Sequence, residues 1–345
     1  MTKTFYFLPP RFSVMLMLPP GKVPPEILKR LVFPAVGDGE RVIIGSGEGI
    51  DATAIDFGES VLVASTDPIT GAEKGIGFYA VNVNANDVAT FGARPKWFLV
   101  SILLPENSTE ELLGEIMMEL RESASKLGIA IVGGHTEVTP GLKKPIVVGT
   151  MLGEVEREKL VTSNGAKAGD SIILTKWAAL EGTAIIASER EEELRNAFGG
   201  ELVERAKSLI EMISVVDDAL TANEVGVHAM HDPTEGGIAN GLHEMADSAG
   251  LGFRVYAERI PIREETRRIC EFFNLDPLAL ISSGALMIAA PTEKAGAIIS
   301  ALREKGINAS VIGEFLPDRE TRVIVRDGRE EPLPRPESDE LWKVV

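Results

Sequence analysis

Cysteine is nearly missing from this 345-residue chain: Cys270 stands alone, which excludes a disulfide framework and any metal site built on paired thiolates. Long apolar runs are missing too. The opening MTKTFYFLPPRFSVMLMLPP is broken by Pro9, Pro10, Pro19 and Pro20, so neither a membrane span nor a signal peptide is expected, and a cytoplasmic protein follows. Net positive charge is lacking, the formal net charge being −17, and a nucleic-acid partner needs a basic surface. Glutamine is absent while Glu, Lys and Arg abound, which leans towards a thermophilic source. Several catalytic motifs are missing as well. There is no G-x-x-x-x-G-K-[ST], no dinucleotide spacing in Gly45-Ser46-Gly47-Glu48-Gly49, no H-E-x-x-H, and no strand-turn-helix elbow at Gly45-Ser46-Gly47.

What is present suits a well-packed α+β protein. The chain is 44% apolar and 25% charged, and its length suggests two domains. Pro25 is placed to start a short helix. Strands are expected at 41–44, 61–64, 129–132, 145–152, 171–175, 252–256, 285–290, 309–312 and 321–325. Helical character is expected at 78–91, 179–187, 202–212, 217–224, 237–249 and 292–305, and after the capping box Ser108-Thr109-Glu110-Glu111. The expected division is an extension over 1–39, one domain over 40–160, a second over 161–330, and a pliable Pro- and acid-rich tail over 331–345.

Three aspartates stand out. Asp51 follows the Gly45–Gly49 loop, whose glycines (Gly45, Gly47, Gly49) let backbone approach something closely. Asp67 follows a strand, in Ser65-Thr66-Asp67-Pro68. Asp87 lies in an otherwise apolar helical stretch with Asn82 and Asn86, polar groups that need partners there. Alone, Asp67 also suits an Asx turn before a proline, and Asp51 a turn cap. Together, three carboxylates suit Mg²⁺, which takes one or two carboxylates plus phosphate oxygens and water.

Among the histidines, His231 heads His231-Asp232-Pro233-Thr234-Glu235-Gly236-Gly237. The helix that follows offers its N-terminus to a phosphate or carboxylate, unless Asp232 or Thr234 simply caps it. His135, in Gly133-Gly134-His135-Thr136-Glu137, follows a buried strand, a common ligand position in α/β proteins. His228 and His243 read as structural or surface residues.

Taken in order, these motifs resemble the aminoimidazole ribonucleotide (AIR) synthase-like superfamily, which includes AIR synthase, the hydrogenase maturation protein HypE, thiamine-monophosphate kinase and selenophosphate synthetase. The similarity is carried by Gly47…Asp51-Ala52, Ser65-Thr66-Asp67, Asn86-Asp87-Val88-Ala89…Gly92-Ala93-Arg94-Pro95, Gly133-Gly134-His135-Thr136 and His231–Gly237. Gly21–Pro25, the 86–95 block and Asp276-Pro277-Leu278…Gly284 bring it nearest to HypE-like proteins. The resemblance implies two α/β domains, a homodimer whose N-terminal domains build a shared β-barrel, and Mg-ATP in a cleft between the domains. By motif match, Asp51, Asp67 and Asp87 would handle Mg²⁺ and phosphate, with Glu137 as a further metal ligand. Asn86, the Gly45–Gly49 loop, Gly133, Gly134, His135, Asp232, Gly236 and Gly237 would surround the nucleotide.

The implied chemistry, of the ligase, dehydratase or kinase type, is ATP-dependent activation or phosphorylation of an oxygen on a small substrate. It rests on positioning and charge neutralisation more than on a strong nucleophile. The chain also departs from the pattern. His135 stands where HypE and thiamine-monophosphate kinase carry an acidic metal ligand. Glu235 stands where a basic residue is frequent. Neither HypE's C-terminal cysteine nor the reactive loop of selenophosphate synthetase is present. These departures keep a second reading: a nucleotide-binding partner or scaffold in a maturation complex, without turnover.

Overall fold

The computed structural model describes residues 23, 25–32, 34, 39–45, 47, 49–70 and 74–345. Most of the Pro-rich opening, and Ser46 and Glu48, lie outside these residues. The short helix α1 (Pro25–Leu31) belongs to a unit of its own that ends at Gly37. The unit from Asp38 to Val345 holds both sheets and the helices packed on them.

The first half is a six-stranded sheet backed by two helices. Its strands are β1 (Val42–Ile44), β2 (Thr53–Asp56), β3 (Ser60–Ile69), β4 (Arg94–Leu104), β5 (Ala130–Val138) and β6 (Ile146–Glu156). They lie in the order β1-β2-β3-β6-β4-β5, and only β4 and β5 run parallel. Along β3, Val61, Val63 and Ser65 alternate inward, as the period of two requires. The strand continues through Asp67 and Pro68, because β2 pairs only as far as Ala64 and leaves an edge where a residue without an N–H is tolerated.

Helices α2 (Ile76–Thr90) and α3 (Glu110–Lys126) cover the inner face of this sheet. Thr109 caps α3 by accepting the Leu112 N–H. Glu119 of α3 accepts the N–H groups of Gly75 and Gly77, placing a carboxylate at the start of α2. Buried residues occur on all sides of α2, the mark of a helix enclosed by protein. One face of α2 meets β3 and β6, and another meets the second half.

The second half is a seven-stranded sheet: β7 (Ser171–Thr175), β8 (Ala229–His231), β9 (Gly252–Tyr256), β10 (Met287–Ala290), β11 (Ala309–Leu316), β12 (Arg322–Arg326) and β13 (Arg329–Pro332). Their order is β13-β12-β9-β11-β7-β10-β8. Helices α7 (Val216–Val225) and α10 (Thr292–Glu304) join α2 in one apolar core that runs through both halves, while α8 (Gly237–Ala249) packs in a separate core on this sheet. A side cluster gathers α4 (Leu180–Glu189), α5 (Glu191–Phe198), α6 (Gly200–Ser208) and α9 (Glu264–Phe273). The 331–345 segment, expected as a pliable tail, is packed: Leu333, Leu341 and Val344 are buried, and Arg190 donates to the Val344 carbonyl.

Candidate functional site

Helix α2 and strand β3 supply the centre. Ser65 and Asp67 are two apart on β3 and so share the face towards α2. Asn84 holds that stretch of strand, accepting the Asp67 N–H at 2.9 Å and donating to the Asp67 carbonyl at 3.3 Å. One turn further along α2, buried Asp87 accepts the Ser65 hydroxyl at 2.6 Å. Burial pushes the Asp87 carboxyl well above the usual carboxylate range, the charges of Asp67, Asp232 and Asp51 push it further, and only the Ser65 hydrogen bond opposes them. Four aspartates, three from the first half and one from the second, thus share one field. Among the described residues no group of three or more acidic, His or Cys side chains is arranged to hold an ion alone.

His231 ties the two halves together. Its Nδ1 lies 3.0 Å from both carboxylate oxygens of Asp51, and its Nε2 lies 3.0 Å from Glu244 of α8. With a carboxylate at each nitrogen, both nitrogens donate and the ring is an imidazolium. Burial works against that charge, but Asp51 and Glu244 together raise the ring well above the ordinary imidazole value. Asn86 makes a second tie, donating to Ile213 O at 2.9 Å and accepting from Val215 N at 2.8 Å. Its amide is therefore engaged with the second half's backbone.

The glycines have packing reasons of their own. Gly49 has φ +66° and rests on α8, where a Cβ would lie 3.0 Å from the Glu244 carbonyl oxygen. Gly237 is pressed against the Leu278 and Leu280 carbonyls, and Gly134 against the backbone of Val100. At the N-terminus of α8 the structure supplies its own anion: Asp339 accepts the Gly236 N–H at 2.6 Å.

His135 and Glu137 stand elsewhere, on the exposed edge strand β5, hydrogen-bonded to each other at 3.1 Å. Neighbouring Gly134 pairs with Val100, Val100 with Gly149, and Gly149 with Asp67. Three strand spacings of roughly 4.8 Å put about 14 Å between the β5 and β3 positions. Within one chain this pair does not join the aspartates. A surface groove of about 760 Å³ on α3, lined by residues such as Gly114, Met117 and Arg121, takes none of its walls from them either.

Sequence reasoning missed Glu244 and Ser65 as members of the cluster. The two-residue spacing of Ser65 and Asp67 was a usable signal. The pairing of His231 with a residue 180 positions away was not.

This two-sheet architecture, with an acidic cluster where the halves meet, matches the family model for AIR synthase related protein, N-terminal domain, over residues 49–155, and its C-terminal domain model over 167–326. A putative hydrogenase expression/formation protein of Methanocaldococcus jannaschii is 30% identical over 315 residues, 88% of this chain and 91% of the relative. The carbamoyl dehydratase HypE of Azotobacter vinelandii is 30% identical over 249 residues, 70% of each chain. The crystal structure of hydrogenase maturation protein HypE in complex with ATP matches with a TM-score of 0.70 at 26% identity, covering 82% of this chain and 87% of that one. The chain belongs to the AIR synthase related family. Within that family its likeness is to the hydrogenase maturation proteins of the HypE type.

Proposed function

We propose that this protein binds ATP with Mg²⁺ at the four-aspartate cluster and uses it to activate or phosphorylate an oxygen of a small substrate. The observation that carries the reading is the field at Asp87. Carboxylates crowded in a buried place, with no basic side chain among the charges that act most on Asp87, suit a cation brought in from outside. The donor set fits magnesium held partly by phosphate, since such a site needs only one or two protein carboxylates. Asp51, Asp67 and Asp87 would hold it, with Asp232 facing them from the second half. Backbone N–H groups of the Gly45–Gly49 loop would meet phosphate oxygens. Bound ATP supplies the phosphoryl group that turns a poor leaving oxygen into a good one. The chain's own part is to orient: Ser65 and Asn84 fix the carboxylates, and His231 and Asn86 fix the two halves against each other.

HypE in complex with ATP supports the nucleotide, and the carbamoyl dehydratase name of a relative supports the reaction class. A cysteine-borne substrate is not supported. Cys270 is buried, and burial pushes its thiol up to about 12, so it is no thiolate near neutral pH. Titration calorimetry with a non-hydrolysable ATP analogue, with and without Mg²⁺, tests the proposal. Absence of Mg-dependent affinity in the folded protein sinks it.

The scaffold reading is favoured by the relative named for hydrogenase expression and formation. It expects nucleotide affinity without phosphate release. Under either reading we propose a homodimer through the first sheet, whose edge strand β5 is exposed along nearly its whole length.

A further inference from the structure

Glu181 sits in the first turn of α4 and is buried, with 7% of its surface exposed. Ser283, itself buried, hydrogen-bonds the carboxyl group, but Oε2 has no hydrogen-bond partner among the described residues. A buried acceptor left without a partner is costly, and native proteins tolerate few. The group is more than a stray core residue, because its neighbours come from four separate segments. Tyr79 of α2, Glu235 of the loop before α8, Ser283 in the Ser282-Ser283-Gly284 turn and Asp339 of the C-terminal segment all act on it or are acted on by it.

The position and charge of this place are informative. Tyr79 and Asp87 are eight residues apart on α2, about 12 Å along its axis at 1.5 Å per residue. Glu235 is three residues beyond Asp232. The charge of Glu181 is thus felt on α2 at Tyr79, about two turns before Asp87. The charges acting on it, Asp339 and Glu235, are both acidic. The Asp339 carboxylate is already engaged by the backbone N–H groups of Gly236, Leu341 and Ile281. Elements packed around α4 are internally balanced. Glu265 of α9 pairs with Arg205 of α6 and with Arg263, and Glu191 of α5 pairs with Arg195 and Lys207. Glu211 of the turn after α6 is exposed to solvent. The buried ammonium of Lys176 reaches the same turn, at 2.9 Å from Gly284 O, but it is committed to that carbonyl, to Ser214 O and to Asp218. An N–H donor carrying positive charge finds an open carboxylate oxygen on Glu181.

We propose that Glu181, with Ser283 hydrogen-bonded to it, is the seat for a cationic nitrogen group (ammonium, amidinium or guanidinium) on the small molecule that the nucleotide site acts on. The link to an ATP-dependent reaction rests on the function proposed above; the seat itself rests on Glu181 and its surroundings. Burial is the main cause that pushes this carboxyl up to about 7, and Asp339 and Glu235 add to it. The empty seat is therefore protonated below that value, and a cation binds with loss of the proton.

Saturation-transfer NMR tests this with acetamidinium, methylguanidinium and methylammonium as probes, and with acetate and inorganic phosphate as anionic counterparts. With the nucleotide site filled by a Mg-bound non-hydrolysable ATP analogue, wild type is expected to bind at least one cation and neither anion. Its affinity should fall roughly tenfold per unit as pH drops below about 7. Glu181→Gln should weaken the cation at least tenfold and flatten the pH profile, while Mg-nucleotide affinity shows that the variant is folded. Should that variant fail to fold, Ser283→Ala keeps the carboxylate and is expected to weaken the cation several-fold. Preference for an anion, or equal cation affinity with and without the carboxylate, overturns the proposal. Nucleotide binding without any cation binding in wild type defeats the seat alone; cation binding without nucleotide binding defeats the ATP reading alone.

Discussion

His231 holds Asp51 across the boundary between the two sheets, with Nδ1 equidistant, at 3.0 Å, from both carboxylate oxygens. Glu244 completes the clamp from the other side of the ring. Asp51 therefore has a structural partner before any metal is considered, and the loop leading to it is fixed by the second half of the protein. Removing one member of a buried charged set leaves the others uncompensated, which typically costs about 3–5 kcal/mol. His231→Ala is expected to lose stability of that order in urea unfolding. The pH dependence has a definite sign. The folded ring titrates above its unfolded value, so its contribution is fully present below the ordinary imidazole range and is lost as pH rises through the raised value. A wild-type protein indifferent to His231→Ala would mean that the clamp is not formed in solution.

Asp87 gives a slope of the same sign for a different reason: its charged form is disfavoured, not favoured, by its surroundings. Its carboxyl is raised by burial and by Asp67, Asp232 and Asp51, so it destabilises the fold increasingly as pH rises from the ordinary carboxylate range. Asp87→Asn should remove that slope and leave the apo protein as stable as wild type, or more so, at neutral pH. The cost should appear in binding. Mg-nucleotide at a hundred times its dissociation constant stabilises a folded protein by about 2.7 kcal/mol, and the variant should lose most of this. Thermal melts with and without Mg-nucleotide measure both effects. Equal stabilisation of wild type and variant would remove Asp87 from the site.

Much of this was legible because period and punctuation agree locally. Strands 171–175 and 252–256 and helix 237–249 fall where their patterns placed them, each bounded by Gly or Asp. Of the polar stripe read on α2, Asn86 and Asp87 do bond to other elements, whereas Asn82 bonds only to the Phe78 carbonyl of its own helix; Asn84, which was not part of that reading, holds β3. What stayed hidden was long-range. Strand β4 is an apolar run whose period is ambiguous until β5 and β6 flank it, and it gave no strand signal. The α8 N-terminus did read as an anion site, but the anion is Asp339, about a hundred residues on, in a segment whose composition suggested pliability. The separation of His135 and Glu137 from the aspartates depends on strand order, which no local pattern encodes.

Glu181 gives a stability test independent of any ligand. Its carboxyl moves from an ordinary 4.5 to about 7 on folding, chiefly through burial. The folded state binds more protons over that window, so stability is highest below about 4.5 and falls as pH rises through about 7. At 1.36 kcal/mol per unit the loss is about 3 kcal/mol. Glu181→Gln, which keeps the shape and drops the charge, should be more stable than wild type above pH 7 and show a flatter profile. A parallel loss of stability with pH in both proteins would assign the slope to other groups.

The edge strand makes the last prediction. Val132 and Val138 of β5 are 54% and 55% exposed, and Trp97 and Leu99 of the adjoining β4 are each 38% exposed. Apolar side chains on an unpaired strand edge invite pairing with another chain, and proteins that stay monomeric blunt such edges with charge. Here Gly133 and Gly134 leave the centre of the strand free of bulk, so another backbone can approach closely. Under the proposed homodimer, a second copy of this chain would pair at this edge by symmetry. Sedimentation velocity should show a dimer for wild type and a shift to monomer for Val132→Lys. The substitution should change the monomer's unfolding free energy by no more than about 0.5 kcal/mol, as is usual for an exposed position. A monomeric wild type across the micromolar range, or a Val132→Lys variant that stays dimeric, would show that this edge is not the contact.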